Sequence, residues 1–297
     1  MLSRLGLGTV QFGQEYGVSN RNGHPVEREI ASVLTRATGA GIGYIDTAPA
    51  YGDAEALLGR HLPSGHGLRI VTKTPPIADA TIEARHGRLV LDSVAASLER
   101  LRAASVYGLL VHHAGDLAKP GWQHVVEALA EVRERGWAGR IGASFYNSDQ
   151  LALVETRFPP QLVQLPLNVL DRRLVASGVL ARLKAKGTEI HARSVFLQGL
   201  LLMKPNELPD FFLPIRENLA ALQRVWSEQH RSAIAGCLAF AIQQPDIDAV
   251  IVGVNSRAEL DEIVEAAKQS DSIQDCGEAP AVDTVYLDPA RWPPFSH

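Results

Sequence analysis

Short apolar runs alternate along this chain with longer segments whose apolar residues recur every three or four positions, and the alternation repeats from about Gly41 to Ala267. Runs of the first kind read as strands and segments of the second kind as covering helices, which is the pattern of repeated βα units. The strand-like runs are Gly43-Tyr44-Ile45, Arg69 to Thr72, Tyr107 to Val111, Arg140-Ile141-Gly142, Leu162 to Leu165, Glu189 to Ala192 and Ala249 to Val252. An earlier run near Leu5 to Thr9 brings the number to eight. Leu91, Val94, Leu98 and Leu101 are spaced by three, four and three residues, so a helix would carry them as one apolar stripe. Ser256-Arg257-Ala258-Glu259 has the form of a capping box and predicts a helix that turns Leu260, Ile263, Val264 and Ala267 inward.

Parallel strands buried on both faces are continuously apolar, and Val106 to Val111 and Ala249 to Val252 read that way. A closed barrel and an open doubly wound sheet both meet that condition. Eight βα units favour the barrel, and no G-x-G-x-x-G follows a strand as a Rossmann domain requires. The glycines from Gly39 to Gly43 precede a strand and read as a helix-to-strand turn. The expected fold is therefore an α/β protein of the (β/α)8 TIM barrel class, one domain over 1–297. Met203 to Pro214, with three prolines, is expected to form a long surface loop before a helix over Leu219 to Val225. The tail from Asp275 is expected to pack irregularly against the barrel.

Composition narrows the function. A net charge of -4 gives no basic face for nucleic acid, and no apolar run is long enough to insert in a membrane. The first residues lack a signal-peptide core, and the spacing of Cys237 and Cys276 suits neither a zinc site nor a redox pair. A cytoplasmic protein with a small-molecule partner and no metal is expected; nothing in the sequence fixes its oligomeric state.

In a barrel, chemistry sits at the C-terminal ends of the strands. Asp46, Lys73 and His112 each follow an apolar run, and Tyr51 lies five residues beyond Asp46. These four residue types make a proton-transfer device. A tyrosine hydroxyl, with an ordinary pKa of about 10, needs a cationic neighbour to exchange a proton near neutrality. Lys73 would lower the Tyr51 pKa, Asp46 would keep Lys73 charged and oriented, and His112 would orient a carbonyl or assist the transfer. Singly, each has a duller explanation: a cap, packing, a surface charge and a core histidine.

Asp46-Thr47-Ala48-Pro49-Ala50-Tyr51-Gly52-Asp53-Ala54-Glu55, continuing to Leu58-Gly59, resembles the D-T-A-x-x-Y-G-x-x-E signature of the aldo-keto reductase superfamily. The resemblance extends to Val71-Thr72-Lys73, Leu110-Val111-His112 and Ile141-Gly142-Ala143-Ser144, and covers the chain from Gly8-Thr9 to about Glu262. It implies a (β/α)8 barrel in which the tyrosine is the general acid for reduction of an aldehyde or ketone and a nicotinamide cofactor gives the hydride. By the same resemblance Gly8, Thr9 and Asp46 belong to the cofactor site, Asp46 at the nicotinamide ribose. Ser144 and Gln164 would meet the carboxamide. Ser194, with the loop of Gln198, Gly199 and Leu200, would lie near the pyrophosphate, and the turn of Gly253, Asn255 and Ser256 near the adenosine. His112 and His113 are adjacent, and alternation along a strand would point only one, His112, at the site, leaving His113 as a rim or substrate-loop residue.

Three positions depart from the family pattern. Arg193 stands where an aromatic residue usually stacks on the nicotinamide; it would either stack as a planar cation, favouring reduced cofactor, or turn to a pyrophosphate or a substrate carboxylate. Phe145 replaces an asparagine that helps hold the carboxamide. Glu259 replaces an arginine that grips the 2′-phosphate of NADPH, which argues for NAD(H); yet a capping box would fold Glu259 back on its own helix, leaving exposed N–H groups that attract anions and Arg257 to supply a cation, and NADP(H) is preferred on that ground. Two other functions fit the residues less well: a nucleotide-binding regulatory subunit of slow turnover, and a lyase forming a Schiff base on Lys73.

Overall fold

The computed structural model describes every residue except Asn22, Gln274, Asp275, Glu278, Ala279, Ser296 and His297. Eight parallel strands close in chain order: β1 Leu5–Gly8, β2 Tyr44–Asp46, β3 Arg69–Lys73, β4 Val106–Val111, β5 Ala138–Ser144, β6 Leu162–Pro166, β7 Glu189–Arg193 and β8 Ala249–Gly253. β8 returns to β1 with Leu5 opposite Val250 and Gly8 opposite Gly253, so no sheet edge is left unpaired. The fold is a (β/α)8 TIM barrel. Each expected run lies within a strand or overlaps one. β5 extends furthest beyond its run, because Ala138 pairs with Val106 and Ser144 with Gln164, contacts that local hydrophobicity does not record.

The pleat sorts each apolar run into two faces. Ile45, Ile70, Leu109, Val111, Val163, Leu165, Val250 and Val252 join the large core between strands and helices. Tyr44, Ala249 and Ile251 form a separate cluster inside the barrel, as do Val71, Leu110 and Leu162. The interior is tight enough that a Cβ at Gly142 would lie 1.6 Å from the Leu162 carbonyl oxygen.

Helix Ala84–Leu101 buries Val90, Val94, Leu98 and Leu101 and leaves Leu91 at the margin, so the stripe is shifted slightly from the spacing read in the sequence. Helix Arg257–Lys268 buries Leu260, Ile263, Val264 and Ala267 as its pattern predicts. Gly41, at φ 76°, ends helix Glu27–Ala40, which makes the glycine run the turn expected of it.

The Met203 to Pro214 stretch is more ordered than a surface loop. Asp210–Ile215 is a 3-10 turn with Phe212 and Ile215 buried. Phe212 packs against Trp292 and Phe295, with ring centroids 4.8 and 5.4 Å away. The partners that order it lie some eighty residues away, which no window of sequence reveals. Asp275, where the tail was expected to begin, lies outside the described residues. From Pro280 the chain runs irregularly through two 3-10 turns, Thr284–Tyr286 and Pro289–Arg291.

At the N-terminal ends of the strands Glu189 gathers four donors. The hydroxyls of Tyr44 and Tyr107 donate at 2.9 and 2.6 Å, His191 Nε2 lies at 2.9 Å and Arg140 Nε at 3.1 Å. Burial alone would push the Glu189 carboxyl up, but the hydrogen bonds from His191, Tyr107 and Tyr44 outweigh it and hold the pKa at about 2. Arg69 donates to the Tyr44 hydroxyl and lies over that ring, 4.6 Å from its centroid.

Candidate active site

Two residues beyond the inward apolar layer the pleat points inward again. Asp46 follows Tyr44, Lys73 follows Val71, His112 follows Leu110, Ser144 follows Gly142, Gln164 follows Leu162 and Arg193 follows His191. All six line one cavity of about 420 Å³ at the C-terminal mouth of the barrel, together with Tyr51. Strand periodicity thus carries the site one layer above the core.

Tyr51 reaches the mouth from a tight turn after β2. Gly52, at φ 53°, brings its α-carbon against Gly13, where a Cβ would meet the Gly13 carbonyl oxygen at 2.5 Å. Only glycine fits there, which accounts for the Tyr-Gly pair. Glu55, next along, is buried; it accepts from Thr72 Oγ1 at 2.6 Å and pairs with Arg100 at 2.7 Å, tying helix Ala54–His61 to β3 beside Lys73.

Lys73 Nζ donates to both carboxylate oxygens of Asp46 at 2.8 Å and to the Thr47 carbonyl at 2.9 Å. Burial alone would lower the lysine pKa; Asp46 and Tyr51 together outweigh it and raise the pKa, so the amine stays an ammonium. An ammonium so held is a poor nucleophile, which disfavours Schiff-base chemistry. Gln164 Nε2 donates to Asp46 Oδ1 at 2.7 Å and fixes the carboxylate from the far side.

Lys73 Nζ lies 4.9 Å from the centroid of the Tyr51 ring, so its charge acts directly on the phenol. The lysine does favour the phenolate, as expected, but burial acts the other way and is larger, so the Tyr51 pKa is raised overall. The hydroxyl is therefore held in its acid form, ready to donate. His112 is pushed down to about 3 by burial, then by Lys73, His113 and Arg193, and is a neutral imidazole whose ring stands edge-on to Tyr51 at 5.8 Å. Its Nδ1 is buried without a partner.

His113 also lines the cavity, contrary to the alternation argument. β4 ends at Val111, so the pleat no longer governs the next two residues, and the two imidazoles stack 4.6 Å apart with 4° between their planes.

Of the other anticipated positions, Gly8, Thr9, Ser194, Gln198, Gly199, Gly253, Asn255 and Glu259 all border the same cavity. Ser256 and Arg257 do not. Ser256 Oγ caps the helix by accepting from the Glu259 amide at 3.2 Å, and Arg257 Nε lies 3.7 Å from Asp261. The second half of the capping box is displaced by one residue: Glu259 Oε2 accepts from the Asn255 amide at 2.7 Å instead of the amide of Ser256. Phe145 is wholly buried in the core and offers the cavity no polar group. The Arg193 guanidinium lies 4.2 Å over the Tyr146 ring, donates to Ser194 Oγ at 3.2 Å, and among the described residues has no carboxylate within ion-pair distance.

Sequence reasoning missed Gln11 and Tyr16, which line the cavity from the segment after β1; Tyr146, after β5, lines it as well. The available signal was their place just beyond strand ends. Tyr16 is pushed up to about 12, mainly by burial and then by Tyr51. Behind it, Ser19 Oγ lies where a Cβ on Gly199 would be 1.9 Å away, so the loops after β1 and β7 touch over the cavity.

Among the described residues no cluster could hold a metal ion, and no helix is long and apolar enough to cross a membrane. Residues 4–280 match the profile of the Aldo/keto reductase family. An L-galactose dehydrogenase of Arabidopsis thaliana is 25% identical over 100% of this chain and 95% of its own. A 6-dehydroglucose reductase of Agrobacterium fabrum is 28% identical over 86% and 85%. An aldo-keto reductase of Bacillus halodurans, solved in its holo form, superposes with a TM-score of 0.72 over 94% of each chain at 18% identity.

Proposed function

Since the chain belongs to the aldo/keto reductase family, we propose that it is an oxidoreductase interconverting a carbonyl and an alcohol, with Tyr51 as general acid and base. The observation that carries this reading is the chain of contacts from Asp46 through Lys73 to Tyr51, beside a neutral His112, inside one cavity.

A nicotinamide dinucleotide fits the residues present. Gln11 Oε1 and Asn255 Oδ1 are buried acceptors without protein partners on the wall of the cavity, and Ser144 and Gln164 offer the donor and acceptor that a carboxamide needs. When bound, the cofactor supplies or accepts the hydride; the remaining tasks fall to side chains. Tyr51 Oη gives its proton to the developing alkoxide and Lys73 stabilises the phenolate left behind. Asp46 keeps the ammonium charged throughout. His112, neutral, orients the carbonyl through a hydrogen bond without competing as an acid.

Tyr51→Phe should abolish carbonyl reduction while leaving cofactor binding nearly unchanged, since only the proton donor is removed. A panel of sugar, aromatic and short aliphatic aldehydes is the appropriate assay, two relatives being named for sugars. Retention of most activity in the variant would refute the assignment. Of the two features that favour NADP(H), the helix amides and Arg257, the second has its guanidinium against Asp261.

A further inference from the structure

We propose that Glu29 and Glu259 bar a 2′-phosphate from the β8 end of the cavity, so that the protein takes NAD(H) in preference to NADP(H). The inference rests on the oxidoreductase reading and on the start of helix Arg257–Lys268 being the adenosine end.

A helix N-terminus with free amides is an anion site, and that is what a 2′-phosphate would use here. Three of the amides at this terminus are already taken. The Arg257 amide donates to Glu29 Oε1 at 2.7 Å, the Asn255 amide to Glu259 Oε2 at 2.7 Å, and the Glu259 amide to Ser256 Oγ at 3.2 Å. Two of the three acceptors are carboxylates. Glu29 comes from helix Glu27–Ala40, more than two hundred residues away in sequence, and reaches across from the neighbouring βα unit.

Arg257, the cation that the sequence offers for this end, does not compensate. Arg257 lies against Asp261, which also accepts from Arg36, and Arg257 does not line the cavity. A phosphate placed here would meet the Glu259 carboxylate on the cavity wall and find three of the amides at this terminus taken, one of them by Glu29, and both effects disfavour it.

The same wall suits a hydroxyl. Asn255 Oδ1 and Gln11 Oε1 are buried acceptors lacking donors, Gln11 lies over Gly253, and the Glu259 carboxylate borders the cavity beside them. A ribose 2′-hydroxyl brings the donor such a wall lacks; a phosphate brings only more acceptors.

Titration of the purified full chain with NADH and with NADPH, followed by cofactor fluorescence, tests this without turnover. NADH should bind tighter by roughly tenfold or more, and the ratio should shrink as salt screens the carboxylates. The double variant Glu29→Gln, Glu259→Gln keeps an acceptor oxygen at each contact and removes both charges, so its ratio should fall to about threefold or less. NADPH binding as tight as NADH in the unaltered protein, or an unchanged ratio in a folded double variant, would overturn the proposal. Binding of neither dinucleotide would instead overturn the oxidoreductase reading beneath it.

Discussion

The Lys73 ammonium is 2.8 Å from each carboxylate oxygen of Asp46, and both side chains are buried, 1% and 8% exposed. A buried pair is costly to break from one side, because the remaining charge has no solvent to turn to. Asp46→Asn is expected to destabilise the protein by about 3–5 kcal/mol, and adding Lys73→Met should restore part of that loss. Urea unfolding of the single and double variants checks it; equal stability of Asp46→Asn and the parent would show that the pair contributes nothing.

His112 gives a prediction in pH. Held down to about 3, it carries no proton in the neutral range. The profile of kcat/KM for reduction should therefore show no histidine inflection near pH 6.5. An inflection there, removed by His112→Gln, would mean that the imidazole titrates during turnover.

Glu189 makes a separate claim at the other end of the barrel. Its folded pKa of about 2 lies below the ordinary 4.5, so the folded state binds this proton less readily than the unfolded one. The stability it contributes is fully present above the unfolded value and lost as pH falls from there through the folded value. Between pH 4.5 and about 2 the urea midpoint should fall more steeply in the parent than in Glu189→Gln. Parallel curves would show that the four donors leave the carboxyl unperturbed.

Two glycines separate steric need from backbone need. A Cβ at Gly142 would lie 1.6 Å from a backbone oxygen of β6, whereas Gly136, at φ 70°, has nothing within 4 Å of its Cβ position. Gly142→Ala should cost up to about 3 kcal/mol or more through displaced strands, and Gly136→Ala about 1 kcal/mol through its left-handed conformation alone. Thermal unfolding of both variants decides it; similar losses would mean that β5 and β6 part easily.

The barrel and most of the candidate site were legible because strand ends serve both. Asp46, Lys73 and His112 each follow an apolar run that reads as a strand, and the pleat that turns Tyr44, Val71 and Leu110 inward turns them inward two residues later. The pleat stops where the strand stops, which is why His113 escaped it. Capping chemistry was legible in Ser256 and only half so in Glu259, since the choice between the amides of Asn255 and Ser256 is set by loop geometry. Glu29 left no trace, because its partner amide belongs to a strand-helix unit at the opposite end of the chain. The ordering of Phe212 by Trp292 and Phe295 was hidden for the same reason.

Glu189 draws its donors from β2, β4, β5 and β7, so a single carboxylate laces together half the staves at the foot of the barrel, away from the chemistry at the rim. For an engineer this separation is useful. Loops at the rim can be exchanged or randomised to admit new substrates while the foot keeps the cylinder round, provided that tyrosines, arginine and histidine around that acid are left alone.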